Sequence, residues 1–291
     1  MDFLQLLISG VSNGCIYGLI ALGFVMIYKA SEAVNFAQGD LMMAGAFITL
    51  ELTNPDRMGL PFIPAVLIAV IITGAVAYLL EVAVIRRLFG QPQFAIVILT
   101  IALGFFLRFL AGVIWGHEPL TLSTPYAGVS FEVGGVIFGA EDIAAIAATL
   151  LLTGALYLFF SKTKLGIAMQ AASQNQMAAY YMGIPIKRIN GLVWGLSGAV
   201  ATVAGILLAS RGSIDPSIGF LGIKAFAAAV IGGFGSLPGA IVGGLIVGIS
   251  EPFAARYIEA GVSQIAPYAI MLLILVTRPS GLFSQVYSKK V

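Results

Sequence analysis

Eight apolar runs follow one another along almost the whole chain and leave few residues for anything else. A helix that crosses the hydrocarbon core of a bilayer needs roughly 20 mostly apolar residues, which is about the length of most of these runs. The sequence therefore predicts an all-α polytopic membrane protein with about eight membrane-crossing or re-entrant segments. The runs cover residues 4–28, 41–52, 62–85, 94–115, 143–160, 190–209, 223–250 and 266–277.

Composition excludes most other classes of protein. Only 10% of the 291 residues are charged and the mean hydropathy is +1.02, whereas a soluble globular domain carries about 25% charged residues. A cytosolic enzyme, a nucleic-acid-binding protein and a disordered chain are therefore disfavoured. No soluble domain of ordinary size fits between the runs, so we expect residues 1–291 to form one transmembrane domain.

Two of the runs are irregular. The run 41–52 is too short to span a membrane alone unless it includes the preceding residues, where polar side chains stand at Asn35, Gln38 and Asp40. The run 223–250 is interrupted between positions 232 and 239 by one proline and four glycines, which disfavour a continuous helix. We predict broken helices near residues 35–40 and 232–239, the second as a re-entrant hairpin.

The distribution of Lys and Arg predicts the orientation, because cytoplasmic loops carry an excess of both. It places the N-terminus outside, a loop at about 116–142 outside, a loop at about 161–189 in the cytoplasm, and the C-terminus inside. Inner and outer loops alternate consistently along the chain only if the run 223–250 enters and leaves the membrane on the outer side. The inner set is Lys29, Arg86, Arg87, Lys162, Lys164, Lys187, Arg188, Arg278, Lys289 and Lys290, and the outer set is Arg57, Arg211, Lys224 and Arg256.

Motifs for catalysis or nucleotide binding do not occur in the sequence. There is no G-x-x-x-x-G-K-[ST] loop for phosphates, and the lone histidine, His117, stands in the predicted outer loop. The single cysteine, Cys15, excludes an intrachain disulfide and a cysteine metal cluster. We therefore expect no enzymatic activity, no metal and no cofactor.

The polar residues Asn35, Gln38 and Asp40 permit two interpretations. Charges inside a bilayer are costly and commonly face a cavity, and the N-terminus of a half-helix binds polar ligand atoms, so these residues can line a pathway. Alternatively, Asn35 or Asp40 is an N-cap at the cytoplasmic edge. Arg108 lies in the outer half of its run, where a long side chain reaches the membrane surface, so a structural role is favoured for it.

Glycines recur every fourth residue in three places, a spacing that lets helix backbones approach closely in a membrane. Packing within the chain and packing against a second membrane subunit both fit this pattern. The three stripes are Gly10, Gly14 and Gly18; Gly191 and Gly195; and Gly235, Gly239 and Gly243.

The predicted cytoplasmic loop contains a short helix followed by a break at Gly183, Ile184 and Pro185. We expect a positive φ at Gly183, since glycine adopts it most easily after a helix. Two interpretations fit the helix: it docks a cytosolic partner, or it lies on the membrane surface. Its candidate anchors are Met177, Tyr180, Tyr181 and Met182.

Three stretches of the sequence resemble the permease subunits of bacterial ATP-binding-cassette importers for branched-chain amino acids, in particular the shorter of the two permeases. They are residues 18–28 with 34–45, residues 166–184 with 204–208, and residues 222–244. In the second stretch, the chain has Ile167, Gln170, Gln174 and Asn175 where the family commonly carries charged residues.

The resemblance implies a division of labour among subunits in the bacterial inner membrane. The partners would be a longer permease, two cytosolic subunits that bind and hydrolyse ATP, and a periplasmic substrate-binding protein. The family's loop for ATPase coupling then matches Met177, Tyr180, Tyr181, Met182, Gly183, Ile184 and Pro185. We expect the translocation pathway at Asn35, Phe36, Gln38, Gly39 and Asp40 and at Gly232, Gly233, Phe234 and Gly235.

Three alternatives remain open at this stage. A related permease for urea or short amides would have a similar sequence. A secondary transporter with broken helices would use Asp40 as an ion or proton site and would need no ATPase. A pore-forming or purely structural subunit would have no substrate site.

Overall fold

The computed structural model of the chain describes residues 2–88, 90–133 and 136–283. Lys289 and Lys290, two of the predicted inner cations, lie outside these residues. The helices are α1 (Asp2–Ser31), α2 (Gln38–Thr53), α3 (Phe62–Ala83), α4 (Gln93–Trp115), α5 (Ala140–Lys162), α6 (Lys164–Gln174), α7 (Gln176–Tyr181), α8 (Ile186–Ala209), α9 (Leu221–Gly232), α10 (Leu237–Tyr257) and α11 (Val262–Thr277). Short 3-10 helices occupy Ile85–Leu88 and Pro216–Phe220.

The all-α polytopic prediction is confirmed. Six helices of the described part are long and apolar enough to cross a membrane, namely α1, α3, α4, α5, α8 and α10. The remaining apolar runs form the shorter helices α2, α9 and α11. Both predicted breaks are present, since α1 and α2 are separated by residues 32–37 and α9 and α10 by residues 233–236.

Two small β-ribbons, which the sequence did not predict, lie at one end of the helical bundle. β1 (Leu120–Thr121) pairs with β4 (Ser213–Ile214), and β2 (Ser130–Val133) pairs with β3 (Val136–Gly139), both antiparallel. We call this the ribbon end. The α6–α7 end lies opposite, where the last turn of α1 and the start of α8 meet α6 and α7.

Glycines hold α1 against α10. A Cβ added at Gly14 would lie 2.7 Å from Leu245 Cα and 3.0 Å from the Gly244 carbonyl oxygen, and one at Gly10 would lie 2.9 Å from Ile249 Cα. Gly244 and Gly248 form the α10 side of the same contact, because a Cβ at either would collide with the backbone of α1. The first glycine stripe thus serves packing within the chain, as one of the two interpretations predicted.

The glycines of the other two stripes also pack within the chain, except Gly235, which is exposed. Gly195 on α8 faces Gly74 on α3, where an added Cβ would lie 3.1 Å from the Gly74 carbonyl oxygen. Gly239 and Gly243 on α10 face the end of α9, and a Cβ at Gly243 would lie 2.8 Å from the Gly232 amide nitrogen. This close approach makes α9 and α10 a tight antiparallel hairpin.

The end of the described chain covers the turn of that hairpin. The amides of Leu282 and Phe283 donate to the carbonyls of Ile231 (3.0 Å) and Gly232 (3.1 Å). These are carbonyls that the termination of α9 leaves without a helical partner. The segment after α11 therefore supplies the backbone hydrogen bonds that the broken helix requires.

Candidate translocation site and docking segment

The first break forms around Asn35. Its side-chain oxygen accepts a hydrogen bond from the Ala37 amide (3.1 Å), and the Phe36 amide donates to the Thr100 hydroxyl (3.1 Å) on α4. Ala37 stands at the N-cap position of α2 and makes no side-chain capping bond. Asp40 is therefore inside the helix and not its N-cap, while Asn35 caps the turn that leads into α2.

Gln38 connects the start of α2 to two long helices. Its side-chain amide nitrogen, Nε2, donates to the Ser197 backbone carbonyl on α8 (3.2 Å), and its Oε1 lies 2.9 Å from the Ser197 hydroxyl. That hydroxyl is also 3.1 Å from the Gly23 carbonyl on α1. Gln38 and Ser197 are fully buried, so these bonds satisfy polar groups that would otherwise be costly to bury. They give the break a fixed geometry.

Asp40 forms a buried ion pair with Arg108. Both the Nη2 (2.7 Å) and the Nε (3.1 Å) of Arg108 donate to Asp40 Oδ1. The carboxylate also lies against Gly104, the residue midway along α4. Asp40 is thus deep in the bundle rather than at its edge, and Arg108 pairs with it instead of reaching toward the membrane surface.

A cavity of about 280 Å³ borders this ion pair. The Arg108 guanidinium carbon lies 3.6 Å from the centre of the Phe220 ring, a cation–π contact that covers one face of the charge. The rest of the wall is mainly apolar. The lining residues are Phe36, Asp40, Ile101, Phe105, Arg108, Gly219, Phe220, Gly222 and Ile223.

The two breaks lie at opposite ends of α9. Gly39 packs against Gly222 at its start, where an added Cβ would lie 2.8 Å from Gly222 Cα. The Phe226 ring in the middle of α9 lies 5.0 Å from Phe36 and 5.7 Å from Phe234. Of the second group of predicted residues, Gly232 and Gly233 are buried, whereas Gly235 is exposed.

The predicted docking anchors are on the surface. Met177, Tyr180, Tyr181 and Met182 expose between 65% and 83% of their area. The loop contains two helices instead of one, because Asn175 ends α6 and also caps α7 by accepting from the Ala178 amide (2.9 Å). An open groove of about 700 Å³ runs beside the anchors, between α7 and the first turn of α8.

Gly183 ends α7 as predicted, with φ of +82°. Its amide bonds to the Tyr180 carbonyl (2.9 Å), and the Ile184 amide bonds to the Ala179 carbonyl (3.0 Å). Such paired bonds close a helix around a left-handed residue. Pro185 follows as the N-cap of α8, so this turn sets the direction in which the docking segment joins a long helix.

Sequence reasoning missed several residues of the candidate site. Arg108 was assigned to the wrong environment, although a cation inside an apolar run is itself a signal of a buried partner. Ser197 and Phe220 carried no signal, because a serine and a phenylalanine in apolar helices are common. Their contacts depend on which helices are neighbours.

Comparison with known sequences gives a consistent result over nearly the whole chain. Residues 6–275 match the family described as "Branched-chain amino acid transport system / permease component". The high-affinity branched-chain amino acid transport system permease protein BraD of Pseudomonas aeruginosa is 33% identical and covers 99% of this chain and 98% of its own length. LivH of Escherichia coli, a permease protein of the same description, is 31% identical with the same coverage.

A solved structure shares the fold. PsaBC from Streptococcus pneumoniae in complex with Fab aligns with a TM-score of 0.50, covering 94% of this chain and 90% of the other. Sequence identity is 15%. At that level the likeness concerns the arrangement of helices alone.

Proposed function

The chain belongs to the family of permease components of branched-chain amino acid transport systems, and from this premise we propose that it forms one half of the translocation pathway of an ATP-driven importer for leucine-, isoleucine- and valine-like substrates. It is a multi-pass membrane protein of a transport family. The observation that carries the proposal is the similarity to BraD and LivH from end to end. In this assignment the other half is a longer permease, and a periplasmic protein delivers the substrate.

The proposed pathway runs along the two breaks and α9, which lies between them. It comprises Asn35, Phe36, Gln38, Gly39 and Asp40 with Gly232, Gly233, Phe234 and Gly235. Unwound backbone is tolerated in a membrane only beside protein or a water-filled cavity, and a cavity borders the first break. Asp40→Asn and Gly235→Leu should lower uptake while both variants still insert into the membrane. Wild-type uptake in both would contradict the assignment.

The α6–α7 segment is the proposed contact for an ATP-hydrolysing subunit. The proposed importer has two such subunits, and in this assignment ATP is bound and hydrolysed there and not by this chain. Exposed Met and Tyr side chains beside an open groove provide the few apolar anchors that a protein interface requires. A helix lying on the membrane would expose the same residues to lipid. Tyr181→Asp, compared with Tyr181→Phe, separates the two: loss of co-purification with the ATPases in the aspartate variant alone supports docking.

The proposed orientation in the bacterial inner membrane places the ribbon end outside and the α6–α7 end in the cytoplasm. It is tested with single cysteines at the exposed residues Ser130 and Lys164 in a Cys15→Ala background. A membrane-impermeant maleimide should label Ser130→Cys in intact cells and Lys164→Cys only after permeabilisation. The opposite pattern would reverse the orientation.

Reconstitution tests the function itself. Proteoliposomes that contain this chain, the longer permease and the two ATPases should accumulate L-leucine only with ATP and the binding protein. Uptake by this chain alone would favour a secondary transporter, and uptake that is neither saturable nor stereoselective would favour a pore. Acetamide and urea serve as competing substrates: transport of these without leucine transport would assign the chain to the amide-carrying relatives.

A further inference from the structure

We propose that Asp40 and Arg108 together recognise the zwitterionic group of an amino acid during translocation. The proposal rests on the function given above and deepens it by naming a site for the substrate. In this site Arg108 binds the α-carboxylate and Asp40 binds the α-ammonium, while the apolar cavity wall receives the aliphatic side chain.

The first observation is that the ion pair retains one unused group of each sign. Both hydrogen bonds from Arg108 fall on Asp40 Oδ1, and no residue in the described ranges donates to Oδ2. Arg108 Nη1 is buried and finds no acceptor among the same residues. A buried donor without a partner is costly, more so when it is charged. A carboxylate that accepts from Nη1 and an ammonium that donates to Oδ2 would satisfy both groups without breaking the pair.

The second observation is that two glycines make the room that the Asp40 carboxylate occupies beside Arg108. A Cβ at Gly104 would collide with Oδ2, and a Cβ at Gly219 would collide with Oδ1. Any other residue at either position would displace the carboxylate or cover it. α4 and the 3-10 helix before α9 therefore hold the carboxylate closely between them, in a position where Asp40 and Arg108 both line the cavity.

The third observation is the shape and chemistry of the cavity. Its volume of about 280 Å³ lies at the lower limit of ligand pockets, which are roughly 300–1,000 Å³, and so favours a small molecule. Ile101, Phe105 and Ile223 line it while remaining partly exposed, by 41% to 57%. Two opposite charges beside an apolar wall match an amino acid with an aliphatic side chain and do not match an inorganic ion or a sugar.

The charges also explain why such a site need not hold its substrate tightly. Because Asp40 and Arg108 already neutralise each other, a zwitterion adds no net charge to the membrane interior. It makes hydrogen bonds to Arg108 Nη1 and Asp40 Oδ2, while the hydrogen bonds from Arg108 to Asp40 Oδ1 hold the two side chains together with or without it. Binding is then strong enough for recognition but weak enough for release.

Protection of single cysteines tests the proposal on the assembled transporter. Ile223→Cys and, independently, Ile101→Cys are placed in the cavity in a Cys15→Ala background, and Ile143→Cys on α5 serves as a control of equal exposure to Ile223. L-leucine should slow the reaction of both cavity cysteines with a methanethiosulfonate reagent severalfold and leave Ile143→Cys unchanged. Leucinamide, which lacks the carboxylate, and 4-methylpentanoate, which lacks the ammonium, should protect much less.

Substitution of Arg108 gives a second measurement. Arg108→Gln should raise the leucine concentration for half-protection by about tenfold or more, because a charged hydrogen bond contributes about 1.5–3 kcal/mol, and should abolish the preference for leucine over leucinamide. A purely structural role would lower thermal stability but leave that preference intact.

Three results would overturn the inference: equal protection by leucine and leucinamide, no protection by leucine, or cavity cysteines that stay unreactive in the complex with or without leucine because another subunit fills the cavity. If the wild-type complex transports leucine while any of these holds, only the site is refuted. Failure of the wild-type complex to transport leucine would refute the proposed function instead.

Discussion

The side-chain amide of Gln176 donates a 2.7 Å hydrogen bond to the backbone carbonyl of Ala30. Gln176 is the first residue of α7 and Ala30 lies in the last turn of α1. The bond therefore links the proposed docking segment to the helix that leads directly into the first break. It gives a short mechanical connection between the surface that would receive an ATPase and the start of the proposed pathway.

Gln176→Ala should weaken this connection while leaving the anchors in place. We expect the variant to co-purify with the ATPases at wild-type levels but to show reduced leucine-stimulated ATP hydrolysis, since the movement of α7 is no longer passed to α1. Gln174→Ala, two residues earlier on the exposed surface, is the matched control and should behave as wild type. Unchanged stimulation in Gln176→Ala would show that coupling takes another route.

Gly183→Val should disturb the turn between α7 and α8. A left-handed conformation costs a β-carbon-bearing residue about 1–2 kcal/mol, and Val is poorly suited to φ of +82°. We expect normal membrane insertion but weaker ATPase association and lost uptake. Gly183→Asn, which tolerates this conformation better, should retain most of both, and equal loss in the two variants would contradict the conformational explanation.

Gly14→Ala should destabilise the contact between α1 and α10. The added methyl group meets the backbone of Leu245 at 2.7 Å, and overpacking of this kind costs typically about 1–3 kcal/mol. Gly154→Ala on α5 is the control, because nothing lies within 4 Å of a Cβ there. Thermal unfolding of the detergent-solubilised protein should show a lower midpoint for Gly14→Ala only. Equal midpoints for the two variants would disprove the packing role.

Asp40→Asn and Arg108→Gln should each destabilise the protein, and the two effects should not add up in the double variant. Removing one member of a buried ion pair leaves an uncompensated charge and costs about 3–5 kcal/mol. The double variant Asp40→Asn/Arg108→Gln contains no unpaired charge. It should therefore be more stable than the single variant Asp40→Asn, in which Arg108 has lost its partner. Additive changes in the unfolding midpoint would mean that the two side chains are not energetically coupled.

The sequence alone determined the class of protein, the approximate positions of the long apolar helices and the two breaks. These features follow from local chemistry: apolar runs of membrane length, a proline with four glycines at 232–239, and a glycine at position 183 that ends a helix. Each depends on residues that are neighbours in the chain, so no knowledge of the packing is required. The β1–β4 ribbon escaped prediction because its strands have two residues each and pair across more than ninety positions.

Only the tertiary structure decided which polar groups meet. Asp40 and Arg108 are 68 residues apart, and the sequence left two interpretations of Asp40 open and placed Arg108 toward the membrane surface. The contact exists because Gly39 lets α2 approach Gly222 and because Gly104 leaves space on α4 for the Asp40 carboxylate. Two backbones approach this closely only where the facing surfaces of both helices carry glycine. Such a match between two helices cannot be derived from the sequence of either helix alone. The sequence thus determined where the helices break, and the packing of α2, α4 and α9 determined which polar groups meet there.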